Sequence, residues 1–127
     1  MSLMKWKGQI FTLGALMTLV ACSPPSHELD RSPNLSRTID AVTVERDTEA
    51  TVATPTEIYL SLHNHKASGS PVFRADKVEG LQLQWLSPTR LLIRAQAARV
   101  FLRESSCRVT DSSFDVGVKY EIAHPIP

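Results

Sequence analysis

Apolar residues recur at every second position in several short segments of this chain, from about Thr38 onward. Successive side chains of a β-strand point to opposite faces, so such alternation predicts strands with one face on a core and the other toward water. The clearest segments carry Ile58, Leu60 and Leu62; Leu81, Leu83 and Trp85; Leu91 and Ile93; Val100 and Leu102; and Val116, Val118, Tyr120 and Ile122. Ala41 to Val44 and Pro71 to Ala75 show the pattern more weakly.

Turn-forming residues separate these segments. Asn64 to Ser70 contains Gly69, Gly80 precedes Leu81, and Ser87-Pro88-Thr89 lies between two apolar runs as a hairpin signal. Short strands at roughly ten-residue spacing are typical of antiparallel sandwiches and barrels. We therefore expect residues 38–127 to form a small all-β domain, an antiparallel sandwich or barrel-like fold of about six or seven short strands.

One segment, from Leu91 to Phe101, also fits a helix. Ala95, Gln96, Ala97 and Ala98 are good helix formers. On a helix, however, Arg94 and Arg99 would lie about 140° apart and would not share a face. We expect two strands that meet around Gln96, with a helix as the alternative.

The N-terminal segment is typical of an export signal. Lys5 and Lys7 are followed by an uncharged stretch from Ile10 to Val20, about the length of a signal peptide's hydrophobic region. A membrane-spanning helix needs roughly 20 apolar residues. Pro24 and Pro25, which cannot continue a helix, follow soon after this shorter run.

The segment Leu19-Val20-Ala21-Cys22 resembles the lipobox of bacterial lipoproteins. The resemblance implies that residues 1–21 are a signal peptide, that cleavage occurs before Cys22, and that Cys22 carries the membrane lipid. Single acyl chains anchor only marginally, so stable attachment takes two or more. Ser23, rather than Asp, implies anchoring in the outer membrane, facing the periplasm. The alternative is an ordinary signal peptide or short anchor with a cysteine there by chance.

Residues 22–37 are expected to be the lipidated cysteine and a flexible tether. From Ser23 to Arg37 there are three prolines and four serines and few large apolar residues. Such a composition cannot form much core. A flexible chain of this length has a mean reach of about 20 Å.

Composition restricts the class of partner. Loss of Lys5 and Lys7 with the signal peptide leaves 12 basic and 13 acidic residues, a formal charge of −1. A nucleic-acid-binding domain would show a clear basic excess, so we expect none to be bound. Cys107 is then the only thiol apart from Cys22. We expect it to be buried or unreactive, the alternative being a bond to a partner's thiol.

A second resemblance covers about residues 56–103. An extended Tyr59-Leu60 segment is followed by Pro71-Val72-Phe73-Arg74-Ala75-Asp76-Lys77-Val78-Glu79-Gly80-Leu81, then Trp85, then Arg99-Val100-Phe101. This order is similar to a pattern in small bacterial envelope proteins of unknown function. It implies a compact domain and no particular activity.

Residue types that carry out catalysis or bind metals are present without a recognisable arrangement. His63 and His65, two positions apart, could share a metal ion, but a catalytic site needs a third ligand, and neither His27 nor His124 is an obvious one. Ser68-Gly69-Ser70 lacks the glycines of a nucleophile elbow. We predict no catalytic residues, no metal and no cofactor, and expect the two histidines to be solvated.

A run of arginines is the remaining candidate for binding. Arg94, Arg99 and Arg103, flanked by Arg90 and Arg108, make this region locally basic. They could contact anionic lipid or an acidic partner. Alternatively, they form a solvated sheet face whose side-chain stems cover apolar surface. Trp85 belongs to the inward set and is expected in the core.

These observations favour a non-enzymatic envelope lipoprotein that acts by binding, as an accessory or assembly factor with an envelope protein partner. The alternative is an enzyme or inhibitor directed at cell-wall or envelope substrates. A cleft with convergent ionisable groups would distinguish an enzyme from a binding module, which can use a flat patch or a sheet edge.

Overall fold

A computed structural model of the chain describes residues 26–46 and 54–127. The described part is all-β, as the alternation predicts, and has eight strands in one sheet that does not close. The strands are β1 (Ser26–Pro33), β2 (Ile39–Arg46), β3 (Thr56–Leu62), β4 (Phe73–Glu79), β5 (Gln82–Ser87), β6 (Arg90–Arg103), β7 (Ser106–Arg108) and β8 (Asp115–Pro125). The predicted signal peptide and the segment that resembles a lipobox lie outside the described residues.

No helix within the described ranges is long and apolar enough to cross a membrane.

The strands follow the order β1-β2-β3-β4-β6-β8-β7, and β5 also pairs with β6. Every pair is antiparallel except β6 with β8, which run parallel. The small antiparallel fold expected from the sequence therefore contains one parallel pair. The chain reverses twice between the two strands, because β7 runs antiparallel to β8 and lies between β6 and β8 in sequence.

A long bent ribbon joins the two halves of the sheet. β4 and then β5 pair with successive parts of β6, and the turn at Ser87 to Thr89 connects β5 to β6 as predicted. The pairing slips between Asp76 and Glu79. Lys77 and Gly80 there have φ angles of 53° and 65°, a region that glycine adopts without steric cost. The ribbon bends at this bulge.

The segment from Leu91 to Phe101 belongs to one continuous strand. The helical alternative is wrong, and so is a division into two strands at Gln96, because β6 runs unbroken from Arg90 to Arg103. The core-facing residues of β6 nevertheless change from odd-numbered to even-numbered positions here. Leu91, Ile93 and Ala95 face the core in the first half, and Ala98 and Val100 do so in the second. The small alanines lie where the strand changes direction, so their composition reflects a bend.

This bend brings the β5 edge against β1. The Trp85 indole donates a hydrogen bond to the Ser32 carbonyl at 2.9 Å, and the Asn34 side chain donates one to the Pro88 carbonyl at 2.9 Å. The sheet thus curls into an open barrel, with side chains rather than strand pairing across the gap. Trp85 packs against the core but is only partly buried.

The core fills the inside of the curled sheet. Its largest fully buried side chains include Ile39, Ile58, Phe73, Leu91 and Ile93. The ring of Tyr120 stacks on Phe73 with centroids 5.8 Å apart. Burial raises the pKa of Tyr120 to about 12, and its hydroxyl lies within hydrogen-bond distance of the Val72 and Glu104 carbonyls.

The flexible tether predicted for residues 22–37 needs correction. β1 begins at Ser26 and pairs along its length with β2, so the domain starts before residue 38. The sequence is polar because β1 is an edge strand, held by backbone pairing on one side. Proline is tolerated at such an edge, and Pro33 ends the strand.

We predict that a mature chain shortened to start at Thr38 will be much less stable than one starting at Ser26. Loss of β1 unpairs the outer edge of β2 and removes the Ser32 acceptor of Trp85. We expect the melting temperature, followed by circular dichroism, to fall by at least about 10 °C. Equal melting temperatures would show that β1 is dispensable to the domain.

Candidate functional site

Four connecting loops gather at one end of the open barrel. The backbone N–H of His63 in the β3–β4 loop donates a hydrogen bond to the carbonyl of Thr38 in the β1–β2 turn, at 3.0 Å. The same β1–β2 turn contacts Pro88 in the β5–β6 turn. A Cβ added to Gly69 would lie 2.6 Å from the Thr110 hydroxyl, so the β3–β4 and β7–β8 loops are in close contact. We call this the loop end, formed by residues 34–38, 63–72, 87–90 and 109–114.

The opposite end of β1 carries the start of the domain. Ser26 pairs with Arg46, the last residue of β2, whereas Pro33 at the other end of β1 leads into the loop end. A strand rises about 3.3 Å per residue, so Ser26 and Pro33 lie roughly 23 Å apart. We call the first of these the Ser26 end.

A buried asparagine holds two turns of the loop end together. Asn34 is 2% exposed. Its side-chain oxygen accepts hydrogen bonds from the backbone N–H groups of Thr38 and Ile39, while its amide donates to Pro88. Arg37 in the same turn has a φ of 56°, which is uncommon for a residue with a side chain. The shape of these turns is therefore set before any partner binds.

The loop end exposes apolar and basic side chains. Leu35 is 81% exposed, the most of any large apolar residue in the described ranges, and Phe114 is also exposed. Arg37 and Lys66 are exposed nearby. A groove of about 200 Å³ lies between two of the loops. It is lined by Ser61, Leu62, His65, Lys66, Ser68, Thr110 and Asp111.

A buried carboxylate ties the loop end to the sheet. Asp40 is fully buried, and its two oxygens contact the His63 imidazole at 2.7 Å and the Arg31 guanidinium at 2.8 Å. The backbone N–H of Asn64 donates to it at 2.9 Å. Burial alone would raise the pKa of Asp40, but these hydrogen bonds outweigh it and hold the pKa below its usual range.

The two histidines therefore differ. His63 is part of the Asp40 cluster, so the expectation that it is simply solvated is wrong, whereas His65 is exposed. The alternation placed His63 on the outward face of β3, and this suggested a solvated side chain, but that face of the strand is itself covered. Within residues 26–46 and 54–127, no three His, Cys, Asp or Glu side chains are grouped as metal ligands.

A second buried carboxylate lies toward the Ser26 end of the same face. Glu57 is fully buried, and its oxygens accept from Arg46, from Arg74 at 2.7 Å, and from the Tyr59 hydroxyl at 3.0 Å. Desolvation would raise the pKa of Glu57, but the two guanidinium groups and the hydroxyl lower it overall. The cluster links β2, β3 and β4.

The three arginines proposed as a binding surface are not brought together. Arg94 pairs with Glu121 at 3.2 Å, and Arg99 makes a two-point contact with Asp76. The hydrogen bonds from Arg99 lower the pKa of Asp76. Arg103 pairs across the sheet with Phe73, and its exposed side chain lies over the Tyr120 ring, 6.0 Å from the ring centre. A role in binding stays a prediction for each of them separately.

Sequence reasoning missed Asp40, Glu57 and Asp76. The alternation of apolar residues in β2 and β3 made no prediction for the first two. The sequence did contain a signal. Val42, Val44 and Tyr59 lie on the same face of β2 and β3 as these two carboxylates and are buried. Apolar residues on both parities indicate a strand covered on both faces.

Cys107 is half-buried in β7. Burial raises the pKa of its thiol, and the nearby carboxylates of Glu104 and Asp115 raise it further. The thiolate is the reactive form, so this environment favours an unreactive thiol.

Comparison with known proteins yields no match to this chain, whether among family models, curated proteins or solved structures.

We predict that the domain loses stability in acid. The pKa values of Asp40, Glu57 and Asp76 are lowered in the folded chain. These groups therefore stabilise the fold at a pH above their pKa values in the unfolded chain, which are about 4. That contribution disappears as the pH falls through the lower folded values. Thermal melts between pH 7 and pH 2 should show the decline, and Asp40→Asn with Glu57→Gln should flatten it. An unchanged slope in this double variant would contradict the assignment.

We predict that Glu57→Ala destabilises the domain by about 2–4 kcal/mol, because two guanidinium groups lose their shared buried acceptor. The matched control is Glu121→Ala, whose exposed pair with Arg94 should contribute less than about 1 kcal/mol. Urea unfolding of both variants measures the difference. Similar losses would mean that the buried cluster contributes no more than a surface pair.

Proposed function

We propose that this protein is a lipid-anchored protein of the bacterial envelope that acts by binding a protein partner through its loop end, without catalysis of its own. The anchor is Cys22, released as the new N-terminus after removal of residues 1–21. The membrane is the outer membrane, and the domain faces the periplasm. The support for the anchor is the lipobox segment Leu19-Val20-Ala21-Cys22.

The observation that carries the binding role is the position of the loops. All four loops of the loop end lie at the end of β1 away from Ser26, and Ser26 is the described residue nearest to Cys22 in sequence. A domain held by Cys22 would therefore present these loops away from the lipid. Loops on a rigid scaffold are where binding residues concentrate.

The side chains of the loop end suit recognition of a protein. Leu35 and Phe114 offer apolar contact area, and Arg37 and Lys66 offer charge around them. Protein interfaces combine such an apolar centre with a polar rim. The buried carboxylates, by contrast, already contact arginines of this chain, so they serve the sheet.

The anchor is tested by Cys22→Ser. We expect this variant to appear in the soluble envelope fraction or to remain unprocessed, because the thiol that receives the lipid is missing. Fractionation and mass spectrometry of the mature N-terminus measure the outcome. A Cys22→Ser protein that is processed and still bound to the membrane, or a wild-type mature chain that begins at a residue other than Cys22, would overturn the proposal.

The loop end is tested by photo-crosslinking in living cells. A photoreactive residue at Leu35 should give a discrete crosslinked protein, whereas one at Leu29 should not. Leu29 is a matched control, since it is 54% exposed but lies within β1, away from the loops. A gene that carries Leu35→Asp should fail to restore the wild-type phenotype to a strain that lacks the gene, although the melting temperature of the variant protein should not fall. Equal crosslinking at both positions, or full activity of Leu35→Asp, would contradict binding at the loop end.

A further inference from the structure

The spacer between the proposed anchor and the folded domain is short. Only Ser23, Pro24 and Pro25 separate Cys22 from Ser26, the first residue of β1. A fully extended chain spans at most about 3.6 Å per residue, so Ser26 stays within roughly 14 Å of the lipidated cysteine. The β1–β2 pairing then fixes which end of the domain is held there.

The Ser26 end extends across five strands. Ser26 pairs with Arg46, whose N–H donates to Pro55 just before β3. Thr56 pairs with Ala75 in β4, and the adjacent Asp76 pairs with Arg99 in β6. Neighbouring strands lie about 4.8 Å apart, so this row is roughly 19 Å wide.

At the β6 side of this row the surface carries an exposed aromatic ring. Phe101 is 56% exposed, and the Arg99 guanidinium lies 5.2 Å from the centre of its ring. Phe101 borders a groove of about 550 Å³ between the diverging strands β6 and β8. The groove is lined by apolar side chains, among them Val100, Leu102, Ile122 and Ile126, and by the polar groups of Arg103 and Tyr120.

Charge makes a smaller contribution to this end. Arg46 and Arg74 share the single carboxylate of Glu57, which leaves one surplus positive charge. Glu45 lies in the same region, and Asp76 neutralises Arg99 there. The end is therefore mixed in charge, so attraction to anionic lipid is not what would orient it.

We propose that the Ser26 end is a lipid-contacting surface, in which Phe101 and the adjoining β6–β8 groove rest against the membrane that holds Cys22. This inference rests on the proposed lipid anchor. The short spacer brings this end to the headgroups, and the exposed ring and groove give it apolar area to insert. Aromatic and apolar side chains of membrane-surface proteins enter the headgroup and acyl boundary by about 5–10 Å.

The test uses the lipidated full-length mature protein, reconstituted into phosphatidylethanolamine and phosphatidylglycerol vesicles with brominated acyl chains, which quench nearby tryptophan. Phe101→Trp and Leu35→Trp are compared with the parent, whose Trp85 supplies a common background. We expect the emission added at position 101 to fall by about half or more, as for a ring at the acyl boundary. The emission added at position 35 should not change, and quenching should persist in high salt.

The two proposals fail in different ways. Mass spectrometry that finds no lipid on Cys22 overturns both. A lipidated protein that floats with vesicles but shows equal quenching at positions 101 and 35, or none at 101, overturns only the lipid-contacting surface. Melting temperatures of both variants confirm that the fold is kept. If Phe101→Trp does not fold, Phe101→Tyr provides a second probe, read as the loss of energy transfer from the added tyrosine to tryptophan in the presence of the brominated lipid.

Discussion

The buried carboxylate of Asp40 adds side-chain contacts between three parts of the chain. It receives Arg31 from β1, His63 from the end of β3, and the backbone of Asn64 at the start of the next loop. Glu57 does the same for β2, β3 and β4 at the other end of this face. A buried charge is costly unless it is paired and hydrogen-bonded, so each cluster strongly disfavours arrangements in which these strands separate. The outer face of the sheet is thus held in register by ion pairs, while the apolar core occupies the inner face.

Much of the fold was predictable from periodicity. The strands around Ile58, Leu83, Ile93 and Val118 follow from alternation, because a half-buried strand leaves that pattern in any sequence. β1 was not predictable in this way. An edge strand rich in Ser, Pro and charge buries little apolar surface of its own, and it is stabilised by backbone pairing and by Arg31, which alternation does not report. The bend in β6 produced an alanine-rich segment that also fits a helix, since small residues suit both.

The candidate site was less predictable, for a physical reason. The loop end is defined by contacts between segments far apart in sequence, such as Asn34 with Pro88 and Gly69 with Thr110. Such contacts depend on how the ribbon bends. The arginines of β6 illustrate the converse. Arg94, Arg99 and Arg103 are close in sequence, but an acidic partner or a change of face separates each from the others. Proximity in sequence therefore suggested a surface that the fold does not form.

The position of β1 also changes what an anchor at Cys22 would do. A flexible tether of some 15 residues would let the domain sample all orientations, so no surface would be favoured. A spacer of three residues leaves far less freedom, because Ser26 is already paired with Arg46. The direction of the loop end is then set by the pairing of β1 with β2, to which the contact between Arg31 and Asp40 adds. On this account, the ion pair that stabilises the sheet edge also supports the orientation proposed for the loop end.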